Sequence, residues 1–163
     1  MLHEAPQFLI DLEQSALGAA IRQSVWAYPA ANVGHILALT LFAASIAIMD
    51  ARLLGAFAAA PPAAIVRPAR RMAMIALVLM AATGGVLFIA EASHVAMNRV
   101  FQIKVALIAL GIINAVLVAK VLDQALEETP AFARLPDRVR LAGAISLAIW
   151  LSVAACGRLI AYF

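Results

Sequence analysis

Residues 24–55 read SVWAYPAANVGHILALTLFAASIAIMDARLLG, and the reading of this stretch decides the fold. From Pro29 onward it is an apolar segment long enough for a helix to cross a bilayer. Trp26 and Tyr28 stand at its start, at the headgroup level that amphipathic rings favour, and Pro29 suits the first turn of a helix. Asp50 and Arg52 close it, read most simply as an interfacial ion pair or a cap. One further ionisable side chain, His35, lies about two helical turns inside. An imidazole at that depth is costly unless it binds something, so it is a functional candidate by default.

The rest of the chain agrees with a membrane setting. Of 163 residues, 66% are hydrophobic and 13% charged, and the mean hydropathy is +0.99. A soluble domain is nearer half apolar and a quarter charged, so the sequence predicts an integral membrane protein of one domain. The net charge of +3 is read as orientation, because no basic stripe with interleaved aromatics is present; nucleic acid is excluded as a partner. The single cysteine, Cys156, has no partner for a disulfide and reads as a small buried hydrophobe. The acidic start, MLHEAPQFLIDLEQ, lacks the basic region of a cleaved signal peptide, so the first span is expected to remain and direct insertion.

Ahead of the first span, residues 6–25 repeat apolar side chains at threes and fours, with Asp11, Glu13, Gln14, Arg22 and Gln23 mostly on the other side. They predict an amphipathic helix lying in the interface. Behind it, three more spans are expected at 72–97, 100–122 and 141–162, after a first at 29–54. Residues 55–71, with three prolines, and 123–140, charged and with two, are read as loops. The fold class is therefore all-α: an integral membrane four-helix bundle with an N-terminal interfacial helix. Eight basic residues flank the two loops (Arg52, Arg67, Arg70, Arg71, Lys120, Arg134, Arg138, Arg140), against Arg22, Arg99, Lys104 and Arg158 on the other face. That bias places the loops in the cytoplasm and both termini outside.

His35 lies six residues past Pro29, roughly 9 Å inward, and His94 four residues before Asn98, roughly 6 Å inward from the same face. Two imidazoles on neighbouring helices can supply both axial ligands of a b-type haem held between them. By helical phase Leu39, Phe42, Thr83 and Leu87 would wall that haem, with Gly34, Gly84 and Gly85 leaving room for a macrocycle or for close packing. Arg22, Trp26, Asn32, Asn98, Arg99 and Lys104 gather on the same face as candidate partners for its propionates. Glu91, one turn before His94, is a candidate to orient an imidazole, pair with Lys104 or relay protons. His35, His94, Met97 and Glu91 also form a mixed donor set for copper, or His and Glu one for zinc. The remaining possibility is that the histidines are structural, in a non-redox transport or interaction subunit. His3 reads as inert. No CxxCH, GxSxG, HExxH, P-loop or GxGxxG motif is present, so an enzymatic role beyond an electron-transfer or oxidoreductase subunit finds no support.

The segment LEQSALGAAIRQSVWAYPAANVGHILALTLFAASIAIMDARLLG, with EASHVAMNRVFQIK and the closing GRLIAYF, resembles a little-characterised bacterial family of four-helix membrane proteins over nearly the whole chain. More distantly the arrangement is similar to four-helix transmembrane b-type cytochromes and copper-resistance membrane proteins. The cytochromes hold two haems on four helix-borne histidines; with His35 and His94 alone, the resemblance implies one haem at most. The sequence is therefore read as a b-type cytochrome of the bacterial inner membrane, with one haem on His35 and His94 near the outer face exchanging single electrons with a quinol or an extracytoplasmic redox partner. The Ala-rich helix faces permit homo-oligomers.

Overall fold

The computed structural model describes residues 5–160 and Tyr162; His3 lies outside them. Seven α-helices and no strands occur among the described residues: α1 (Gln7–Gln14), α2 (Ala16–Gln23), α3 (Ala27–Leu54), α4 (Pro62–Ala90), α5 (Ala92–Met97), α6 (Arg99–Glu128) and α7 (Asp137–Leu159). Four of them, α3, α4, α6 and α7, are long and apolar enough to cross a membrane. The protein is an all-α, multi-pass membrane bundle.

The N-terminal amphipathic stretch is two helices instead of one. Ser15 adopts an extended conformation and its Oγ accepts the Gly18 N–H at 3.1 Å, so it caps α2 and interrupts the run. A Cβ on Gly18 would run into the Glu13 carbonyl oxygen, so glycine is what allows the corner to be this tight.

Both segments read as loops are largely helical. Pro61 and Pro62 start α4 instead of breaking it, because a proline in the first turn has no intrahelical N–H bond to lose. Pro68 lies inside α4 but still near its exposed start. At the other loop α6 runs on to Glu128 and α7 begins at Asp137, leaving 129–136 as the connection. The charges of both segments thus ride on helix ends. The turn after α3 is as abrupt as its sequence suggests: Gly55 has φ +117°, and the Gly55 and Ala56 N–H groups bond back to Arg52 and Ala51.

The span expected at 72–97 passes through Gly84 and Gly85 unbroken and breaks instead at Glu91, where φ is −140° and ψ 35°. The amphipathic pair holds this break from both sides. Arg22 on α2 donates to the Ala90 carbonyl at the end of α4 (2.9 Å) and to the Glu13 carbonyl (2.7 Å). Glu13 on α1 accepts the Ser93 N–H (2.8 Å) and hydroxyl at the start of α5. A cation meets a helix C-terminus and an anion a helix N-terminus, each at the favourable end of the dipole.

α3 with α4 and α6 with α7 form two antiparallel hairpins, joined mainly through α3 against α7. One buried cluster (Ala38, Phe42, Ile46, Ala73, Ala76, Met80) runs along α3 and α4, and Trp150 of α7 meets Phe42 edge-on at 4.6 Å. A second (Leu53, Val66, Leu122, Ala125, Leu126, Leu135, Val139) closes the arginine-rich end. α4 and α6 touch sparsely. They are bridged at the arginine-rich end by Arg67–Glu127 (3.4 Å) and Arg70–Asp123 (2.8 Å), and at the other by stacked Phe88 and Phe101 (5.7 Å).

Candidate functional site

The half of the bundle nearer α1 and α2 carries the residues expected to hold a haem. His35, on α3, turns inward: its Nδ1 lies 2.9 Å from Thr83 Oγ1, and a Cβ on Gly84 would lie 3.1 Å from its Cε1. The ring therefore rests directly against the α4 backbone. Gly34 approaches α4 in the same way, 3.3 Å from the Thr83 methyl, so Gly34 and Gly84 serve close packing here; Gly85 faces open space. His94 is ten residues beyond Gly84, up to roughly 15 Å further along, past the break at Glu91. It is exposed on α5 and sits near the Glu13 carboxylate of α1.

A bis-histidine haem needs both imidazoles on opposite faces of one macrocycle. As placed, His35 has the α4 backbone against it, and His94 stands at another level. The two rings are not brought to one level here, because the expected alignment set Pro29 level with Asn98, whereas Tyr28 meets Glu91 at 3.1 Å and His35 lies against Gly84.

The candidate propionate partners are also dispersed. Arg22 is engaged by backbone carbonyls, as described above. Asn98 caps α6, its Oδ1 accepting the Val100 and Phe101 N–H groups at 2.9 and 3.2 Å. Trp26, Asn32 and Arg99 are exposed. Glu91 is exposed and accepts the Tyr28 hydroxyl at 3.1 Å, so it orients neither histidine. Lys104 is half-buried and lies across α7 near Gly157 and Cys156, on the same side of the bundle as His35. Leu39 and Phe42 belong to the α3–α4 core, and Leu87 is half-buried on α4. Met97 is exposed, and no three His, Cys, Asp or Glu side chains gather as a metal-binding group among the described residues.

The other half of the bundle holds a feature that the sequence reading passed over. Asp50 on α3 is completely buried, and among the described residues neither of its oxygens accepts a hydrogen bond. The Ser146 hydroxyl on α7 lies beside it. Arg52 is buried as well, but its Nη2 donates to the Ala60 carbonyl at 3.1 Å, and it forms no ion pair with Asp50. Residues two apart on a helix point to different sides, which is why the expected Asp50–Arg52 pair does not form. The signal was present in the phase: Phe42, Ile46, Asp50 and Leu53 recur at threes and fours, putting one carboxyl in a core stripe.

Asp50 borders a cavity of about 350 Å³ between α3, α4, α6 and α7. Its walls are almost wholly apolar, and its exposed rim residues Met74, Ile112 and Val116 mark a lateral opening between α4 and α6. Arg70, also on the wall, is already paired with Asp123, and the Asn114 amide already donates to the Ala142 carbonyl at 3.0 Å.

Residues 13–163 match a family of unknown function, DUF6644. The chain belongs to that family. Neither curated proteins nor solved structures offer this DUF6644 protein a match.

Proposed function

We propose that this DUF6644 protein is a multi-pass membrane protein of the bacterial inner membrane that binds a small lipophilic molecule between its helices, in a non-redox transport or interaction role. The cavity carries the reading. Its volume of about 350 Å³ falls within the range of ligand sites, roughly 300–1,000 Å³, and its apolar lining with a few convergent polar groups has their usual chemistry. The gap between α4 and α6 lets a lipid-dissolved molecule enter sideways. In this reading His35 is structural, satisfied by Thr83 and packed on Gly84. The arginine-rich end faces the cytoplasm, and α1 and α2 lie along the outer surface with both termini on that side.

The test is spectroscopic and comes first on purified protein. The expected preparation is colourless in both oxidation states and free of stoichiometric copper. Trp150, on the cavity wall, should then be quenched saturably by anthracene, a neutral apolar probe. A haem absorption lost in both His35→Ala and His94→Ala overturns the proposal in favour of the one-haem carrier exchanging electrons with a quinol or an extracytoplasmic partner. One copper per chain overturns it in favour of a copper-handling protein.

A further inference from the structure

The cavity's charge balance says what kind of molecule it takes. We propose that its ligand is a lipophilic organic cation whose charge is held by the Asp50 carboxylate and whose apolar body lies against the aromatic pair Phe42 and Trp150; this rests on the cavity reading above.

Asp50 is 0% exposed, and among the described residues neither of its oxygens has a hydrogen-bond partner. Buried polar groups in folded proteins are nearly always paired, so an acid left bare on the wall of a cavity calls for a partner that occupies that cavity. Of the donors beside it, only the Ser146 hydroxyl on α7 faces the carboxyl; the others are already used. Arg70 is taken by Asp123 at 2.8 Å and the Asn114 amide by the Ala142 carbonyl at 3.0 Å. The group on the wall left without a counter-charge is therefore an acid, whose ionised form a cation in the cavity would stabilise. A neutral hydrocarbon would leave the carboxylate as bare as before, and an anion would add repulsion; a cation supplies what is missing. Phe42 and Trp150, 4.6 Å apart between ring centres and inclined at 76°, put aromatic surface on the same wall, roughly 12 Å along α3 from Asp50, where it suits the body of an organic ion. The apolar remainder demands that the charge be carried on a hydrophobic body. Access through the membrane-facing gap between α4 and α6 demands the same.

The experiment uses the full chain in lipid nanodiscs. Trp26→Phe leaves Trp150 as the sole reporter, since the chain holds two tryptophans. Tetraphenylphosphonium is compared with tetraphenylborate, an anion of nearly the same shape. Saturable quenching by the cation and none by the anion is expected. Asp50→Asn should weaken cation binding about tenfold or more, the effect of losing one charged contact, and leave anthracene quenching unchanged. Asp50→Glu should retain the cation preference. Equal responses to the two ions in the native chain overturn the assignment, as does cation binding that Asp50→Asn leaves intact. The ion comparison needs no variant at Asp50, so it decides the matter even if that variant fails to fold. Failure of anthracene itself to quench Trp150 removes the cavity reading instead, so the two failures are told apart.

Discussion

Single residues decide where this bundle bends. Glu13 is the clearest case. The Ser93 hydroxyl and N–H that it accepts, with help from the Arg22 and His94 charges nearby, hold its carboxyl below the ordinary value of 4.5 against a smaller opposing effect of burial. A carboxyl lowered in the folded state stabilises above its unfolded value, and that contribution is lost as pH falls through the lowered one. Amide exchange across Ala92–Met97, corrected for intrinsic rates, should therefore quicken on acidification below about pH 4.5 in the native chain. In Glu13→Gln it should already be fast at neutral pH and respond less to acid. Protection that ignores both changes would show that Glu13 does not cap α5. The roles of Glu13 and Arg22 were hidden in the sequence because their partners, Ser93 and Ala90, lie 80 and 68 positions away. Asp50 was legible by phase, but its burial was not: Arg52, two residues on, suggested a partner that it does not reach.

At the level of elements, two helix starts went unread although their local chemistry marks them. Pro62 opens α4 and Ser15 opens α2, and both follow from capping rules alone. The break at Glu91 has no such local cause, since Gly84 and Gly85 were the weaker point by propensity. Packing against α3 carries the helix through those glycines, and the clamp from α1 and α2 sustains the break beyond them. The contact between α4 and α6 is likewise set by few side chains. Its two ion pairs, Arg67–Glu127 and Arg70–Asp123, are substantially exposed and worth about 0.2–1 kcal/mol each. Removing both arginines to alanine should therefore lower thermal stability slightly but widen the α4–α6 distance at that end, measured between spin labels. A distance equal to that of the native chain would mean that the loops, and not the ion pairs, hold this end together.

For the whole molecule, the arginine-rich end and the amphipathic end are opposite poles of one bundle, and the charge bias predicts which pole is inside. In a Cys156→Ser background, Ala5→Cys should react with a membrane-impermeant maleimide on intact cells, whereas Ala133→Cys should react only after lysis. The reverse pattern would invert the topology and with it the side on which α1 and α2 lie.

Composition and hydrophobic run length by themselves determined that this is an all-helical membrane protein of four spans preceded by an amphipathic segment, because burying backbone in lipid leaves a chain of such apolar stretches no other route. Tertiary structure alone decided which polar groups meet. Levels on neighbouring spans follow from counting only once their register is known, and here Tyr28 meets Glu91 and His35 meets Gly84, which leaves His94 beyond them. Whether a buried carboxyl has a partner depends on what neighbouring helices bring to it, and around Asp50 they bring an apolar cavity.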